Sequence, residues 1–257
     1  MQDSLPVEPV ACIVIPCFNE AARLDRDALL ALVADGALQL LFVDDGSTDG
    51  TGAVLSALEA ASDRIGVLRT DRNRGKAEAV RQGLVAALGG TAPLVGYYDA
   101  DLATPPEELV RLIDTLREHA EVECVLGARV ALLGTSIQRR AARHYAGRLF
   151  ASAASAALGV RVYDTQCGAK VFRRNAAFVA ATERPFRSRW AFDVELLDRL
   201  LRGTDSAAPI GPETLLEVPL HAWRDVGGSR LGMPEAMLAV LEVARIGIRR
   251  RLRTRAR

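Results

Sequence analysis

From Val10 to Phe18 the chain reads VACIVIPCF, apolar at nearly every position, and then turns polar at Asn19 and Glu20. A short apolar run closed by turn-forming residues is the pattern of a strand buried on both faces. It recurs in LQLLFVDD (38–45), IGVLRT (65–70), APLVGYYDAD (92–101) and VECVLGAR (122–129). Between these runs the apolar period lengthens to that of helices. Such stretches lie near Asp25–Asp35, in STDGTGAVLSALEAAS (47–62) with capping residues at its start, in KAEAVRQGLVAAL (76–88), and in TPPEELVRLIDTLREHA (104–120) with proline near its first turn. Strands alternating with helices predict a parallel sheet wound by right-handed crossovers.

The second half is less regular. SIQRRAARHYAGRLFASAASAAL (136–158) predicts one long helix with a basic first half, and DTQCGAKVFRR (164–174) a loop entering a strand. RWAFDVELLDRLLR (189–202) predicts an amphipathic helix and TLLEVPLHAW (214–223) a strand. No repeat, linker or low-complexity segment divides the 257 residues. The expectation is one α/β domain, a Rossmann-like, mostly parallel sheet flanked by helices, with the later part built onto the sheet.

Composition narrows the chemistry. A net charge of +1 gives no general reason to expect nucleic acid as a partner. The charge is uneven: Arg245 to Arg257 holds seven arginines and no acid, so the rest is net acidic. A basic, partly apolar C-terminus points to an anionic surface, with a solvated helix end as the alternative. Four cysteines without a C-x-x-C pair and three scattered histidines argue against zinc and for free thiols in a reducing cytosol. There is no basic leader before the first apolar run, and the longest near-uncharged stretch, LFASAASAALGV, has 12 residues, too few to span a bilayer. The expected location is the cytoplasm, with any lipid reached peripherally from the cytoplasmic membrane face.

Ligands of open α/β sheets bind beyond the carboxyl ends of the strands. Asn19 and Glu20, Asp44 and Asp45, Asp99 and Asp101, and Arg129 all fall at such ends. In extended chain, residues i and i+2 share a side, so Asp99 and Asp101 can face one ligand. Two adjacent like charges call for a cation, and hard oxygens suit Mg²⁺ or Mn²⁺ completed by phosphate and water. The plainer alternative is that Asp101 caps the next helix. VDDGSTDGT (43–51) imitates a dinucleotide loop through Gly50 and Gly52, but Leu55 stands at the third glycine position and three aspartates would repel a pyrophosphate. Those carboxylates can instead accept from a base or ribose, or, for Ser47 and Asp49, cap a turn. NRGKAEAV lacks a glycine five residues before Lys76, so it is no Walker loop; Lys76 can meet a phosphate or lie solvated.

The ordered set IVIPCFNE, VDDGSTDGT, NRGKAEAVRQG, DADLATPPEEL and GAR resembles the inverting family 2 nucleotide-sugar glycosyltransferases of the GT-A fold. DTQCGAKVF, RWAFDVELL and HAWRDVGGSR are similar to segments of the dolichyl-phosphate β-glucosyltransferases and, more loosely, the polyprenyl-phosphate mannosyltransferases. The resemblance runs from about Ala11 to Arg230, so that residues 10–230 are expected as catalytic core and 231–257 as an amphipathic basic segment of the same domain. It implies roles. Pro16, Phe18 and Glu20 form the first nucleotide-binding segment, with Phe18 where tyrosine is usual. Asp45 contacts the base. Asp99, Ala100 and Asp101 form the metal and diphosphate motif. Arg129, with Arg139 and Arg140, suits phosphates, and Ser229 and Arg230 clamp the diphosphate. Ala128 and Ala169 depart from the usual serine and aromatic, which bears on the acceptor.

The implied reaction moves a hexose with inversion, from UDP-glucose by the subgroup resemblance or from GDP-mannose, onto a polyprenyl or dolichyl phosphate. Such an acceptor is already largely anionic and needs cations rather than a base. Arg129, Arg139, Arg140, Arg143 and Arg148 supply five, although Arg143 and Arg148 also read as a solvated helix face. A hydroxyl acceptor would need a base, for which Asp193 or Glu195 are placed. A nucleotidyltransferase would carry a Gly-rich basic loop where CFNEAARL stands. A non-catalytic nucleotide-sugar binder is the remaining alternative.

Overall fold

The computed structural model describes residues 8–138, 141–226 and 233–254. Seven strands form the main sheet: β1 (Ala11–Cys17), β2 (Leu38–Asp44), β3 (Ile65–Arg69), β4 (Leu94–Tyr98), β5 (Cys124–Ala128), β7 (Ala169–Arg173) and β8 (Leu215–Pro219). Their order is β3-β2-β1-β4-β7-β5-β8, and β7 alone runs antiparallel to both its neighbours. The expected α/β sheet, mostly parallel and flanked by helices, is therefore present. The β1–β4 ladder ends at Val14↔Tyr97. Pro16 lies beyond it, where a missing N–H is tolerated.

The helices are α1 (Arg26–Val33), α2 (Thr51–Ala61), α3 (Lys76–Leu88), α4 (Pro106–Glu118), α5 (Ala141–Leu158), α6 (Ala176–Glu183), α7 (Phe192–Arg202) and α8 (Met233–Thr254). The start of α1 is set by Asp25, whose carboxylate accepts from Ala28 N at 3.1 Å. Pro105 and Pro106, followed by Glu107 and Glu108, start α4. Alternation along the strands sends Ile13, Ile15, Phe42, Tyr98 and Val171 to one face, with Leu29, Leu55 and Leu112. Val14, Val43, Tyr97 and Phe172 go to the other, with Leu84, Phe178, Phe192 and Val243. Both faces are thus covered by apolar packing, as an all-but-parallel sheet requires.

Two sequence expectations change, and one helix is added where none was expected. The predicted 136–158 helix begins at Ala141, because Ser136–Gln138 forms a short strand, β6, pairing in parallel with β9 (Ala222–Arg224). The predicted strand at 214–223 breaks into β8 and β9, since the chain leaves one sheet to join the other at Leu220 and His221. Helix α6 lies in AAFVAATE, which lacks an amphipathic stripe; Asn175 starts it by accepting from Phe178 N at 2.8 Å.

Candidate active site

The carboxyl ends of β1, β2 and β4 meet at one end of the sheet, and hydrogen bonds fix their loops. Asn19, in left-handed conformation (φ 54°), accepts from Thr48 N at 2.8 Å and donates its own N–H to Ser47 Oγ at 3.0 Å. Ser47 therefore ties the first loop to the second rather than capping a helix. Asp49 does serve α2, accepting from Thr51 N at 2.9 Å. Glu20 grips Arg23 (2.6 Å), and its backbone N–H donates to Thr51 Oγ1 (2.8 Å). Phe18 is half-buried at the start of this first loop.

The buried Asp45 carboxylate accepts from Arg74 N at 2.8 Å and Gly75 N at 2.7 Å. Gly75 has φ +93°, a conformation side chains rarely adopt. Asp45 and Gly75 together fold the loop that delivers Lys76, first residue of α3, to the site. Its ammonium lies 2.6 Å from Asp99 Oδ1. Partial withdrawal from water works against that charge, but Asp99, Asp193 and Asp101 outweigh it and hold the pKa of Lys76 above its ordinary value.

Asp99 and Asp101 follow β4 directly. Asp101 Oδ1 accepts from Ala103 N at 3.1 Å, whereas the capping position before α4 is Pro105 and no side chain caps the helix, so Asp101 does not cap it. Asp99 N donates to Gly168 O at 2.9 Å, and a Cβ on Gly168 would fall 2.0 Å from Asp99 Oδ2. Only glycine lets the antiparallel return to β7 pass against this carboxylate. Asp99 Oδ1 is buried against the Lys76 ammonium, with which it forms an ion pair. Burial, and then the neighbouring Asp99 charge, push the pKa of Asp101 up. A repelling pair of carboxylates, only one of them matched by an ammonium, fits a hard divalent cation. Among the described residues no group of three or more His, Cys, Asp or Glu could hold a metal. Mg²⁺ or Mn²⁺ held here would take two carboxylates from the chain and complete its shell from diphosphate and water.

The second half contributes charges already paired. Arg129, expected as a cation for phosphate, is held by Asp164 at 2.6 and 2.7 Å and lies over the Trp223 ring. Burial opposes its charge, and Asp164 more than restores it. A phosphate would have to displace that carboxylate. Arg148 is no solvated face either: its guanidinium stacks over the Tyr163 ring at 3.9 Å. Asp193, at the start of α7, accepts from buried Lys170 Nζ at 2.7 Å and from the Tyr97 hydroxyl. Glu195 accepts from Arg187 N and Ser188 N and pairs with Arg199 at 2.8 Å. Arg139, Arg140, Ser229 and Arg230 lie outside the described residues.

Sequence reasoning missed Lys170, Gly168, Asp164 and Glu242. Lys170 carried a signal, a lone lysine inside the apolar run AKVF. Glu242 carried none, because its partners are backbone amides of a distant loop.

The sequence profile of Glycosyl transferase family 2 matches residues 12–178. The chain belongs to that family. This glycosyltransferase is 28% identical over 256 residues to a dolichyl-phosphate beta-glucosyltransferase of Trichomonas vaginalis, covering 95% of this chain and 72% of the relative. It is 28% identical over 254 residues to the polyprenol monophosphomannose synthase of Mycolicibacterium smegmatis, covering 98% and 92%. The glucosyl-3-phosphoglycerate synthase of Mycobacterium tuberculosis, solved with Mn²⁺, UDP and glucosyl-3-phosphoglycerate, superposes with a TM-score of 0.67 at 21% identity, over 93% of this chain and 78% of that one. The last likeness bears on fold alone and agrees with the GT-A expectation. Family and fold together make the chain a nucleotide-sugar-dependent glycosyltransferase.

Proposed function

We propose that this glycosyltransferase moves a hexose from a nucleotide diphosphate sugar, UDP-glucose in the first instance, to a polyprenyl or dolichyl phosphate with inversion at C1. Residues 10–230 then form the catalytic core, and 231–257 an appended segment of the same domain that meets the cytoplasmic membrane surface. The observation that carries the reading is the Asp99–Asp101 pair just after β4, with Asp99 Oδ1 paired to the Lys76 ammonium at 2.6 Å and Asp101 facing the Asp99 charge. A divalent cation bound there would neutralise the diphosphate leaving group as a Lewis acid. Lys76 adds fixed positive charge at the same place, where charge develops as the sugar bond breaks. Pro16, Phe18, Glu20 and Asp45 shape the nucleotide side, Asp45 chiefly by folding the loop before Lys76. Ser229 and Arg230 are assigned to the diphosphate from the family pattern, and Ala100 to the metal and diphosphate motif.

The environment of Asp193 supports a phosphate acceptor. A base must take a proton from an incoming hydroxyl, and this carboxylate is buried under Lys170 and Tyr97. A phosphate monoester needs no such base. The names of the two relatives support a lipid phosphate and leave glucose and mannose to be separated by experiment. The test is incubation with Mn²⁺ or Mg²⁺, a short-chain polyprenyl phosphate, and UDP-glucose or GDP-mannose in parallel, with products read by mass spectrometry. A polyprenyl-phosphate hexose absent from Asp101→Ala is expected. Slow donor hydrolysis without glycolipid would reject the lipid acceptor and return attention to hydroxyls.

A further inference from the structure

Helix α8 is apolar on two sides. Its inward side carries Ala239, Val243 and Ile246, all buried in the packing with α5 and α7. Its outward side carries Met237, Leu241, Ala244, Ile248 and Leu252, a spacing of four, three, four and four residues that keeps all five on one stripe. Four of these are largely open to water: Met237 is 65% exposed, Leu241 52%, Ile248 58% and Leu252 61%. A surface helix of a globular protein normally turns polar residues outward. Arginines border the stripe, with Arg245 and Arg249 on one flank and Arg251 on the other, all exposed. Arg250, on the packed side, pairs with Asp198 at 3.2 Å. Neither acid of α8 is exposed, and Glu242 is turned inward.

Glu242 links this helix to the site. Its carboxylate accepts from Arg189 N, Trp190 N and Ala191 N at 2.9–3.0 Å. That loop leads into Asp193, and Arg189 Nε lies 3.3 Å from where a Cβ on Gly75 would stand, next to Lys76. Helix α8 is therefore one loop away from Lys76.

We infer that the outward face of α8 is a docking surface for an anionic lipid bilayer. The apolar stripe enters the headgroup region, the flanking arginines meet lipid phosphates, and Glu242 holds the site loop at a set distance from the interface. Charge selects this occupant over a second copy of the chain, since a twofold pairing of this face would bring two rows of arginine together. The inference deepens the lipid-phosphate reading and rests on it for the acceptor, while the surface itself is read from α8.

The experiment is co-sedimentation of the full chain with vesicles of phosphatidylcholine alone and of phosphatidylcholine mixed with phosphatidylglycerol. The wild type is expected to bind the anionic vesicles and to lose binding as salt rises. A Leu241→Glu, Ile248→Glu double variant is expected to bind more than about tenfold less at unchanged thermal stability. Arg245→Glu with Arg249→Glu is expected to abolish the preference for anionic lipid. Absence of binding to either vesicle, or equal binding by the apolar double variant, overturns the inference. So does a dimer, seen by sedimentation equilibrium, that the double variant splits while vesicles leave it intact. Turnover with a water-soluble short-chain acceptor should be unchanged in the double variant. Vesicle binding without transfer to any polyprenyl phosphate would uphold the docking face and reject the acceptor.

Discussion

Asp101 and Asp193 both act on the charge of Lys76, from opposite halves of the chain, and live in different electrostatic worlds. Asp101 follows a parallel strand, accepts a single backbone N–H, and has its pKa raised by burial and by Asp99. Asp193 starts α7 and is matched by a buried ammonium and a phenol. The same division runs through the two halves. In the first, Asp99 and Asp101 converge with few partners. In the second, Arg129, Lys170, Glu195 and Glu242 each have their capacity taken up by a carboxylate or by backbone amides. Charges held in reserve suit a ligand that arrives with its own charge, and charges already paired suit a rigid wall.

The largest effect that would test this contrast is on stability. Asp193→Ala leaves Lys170 buried without its carboxylate, which should lower unfolding stability by about 3–5 kcal/mol in a urea titration. Lys170→Met combined with Asp193→Leu should restore most of that loss, as apolar replacement of buried ion pairs often does. A near-neutral Asp193→Ala would show the pair to be wetter than the structure gives it. Asp193→Asn sharpens the point: turnover within about tenfold of wild type fits a wall residue, and loss on the order of 10²-fold or more would reinstate it as a base.

At the Asp99–Asp101 pair the expected loss is of binding and catalysis. Saturating Mn²⁺ with UDP should raise the melting temperature of the wild type by on the order of 5–10 °C, the shift that about 2.7 kcal/mol of linkage gives a chain of this size. Asp101→Asn should remove most of that shift and lower kcat by roughly 10²–10³-fold while unfolding without ligand changes little. A variant that kept the shift would place the cation elsewhere.

The smallest effect tests how the two halves meet. Gly168→Ala puts a methyl group where Asp99 Oδ2 lies. Stability should fall by about 1–3 kcal/mol, as overpacking does, and the Mn²⁺ shift should shrink because the displaced carboxylate belongs to the first half. An unchanged shift in calorimetry would mean that Asp99 does not need the antiparallel return against it.

Much of this was legible in the chain. Unbroken apolar runs ending in Asn19, Asp45 and Asp101 dictated a buried parallel sheet with its polar ends together, because an apolar run is driven out of water and a strand-end carboxylate needs polar partners beyond the apolar core. The i, i+2 spacing alone put Asp99 and Asp101 on one side. The arginines of the C-terminal segment were visible as composition, but the outward direction of Met237, Leu241, Ile248 and Leu252 was not. A helix apolar on two sides reads simply as apolar until its packing partner chooses which side is inside. Tertiary structure likewise decided which charges are free. Nothing local couples Arg129 to Asp164, Asp193 to Lys170, or Glu242 to the amides of 189–191, since each pair is joined only when β7, α7 and α8 pack. Availability of a charge is set by long-range neighbours, and a sequence records the charge without recording who stands beside it.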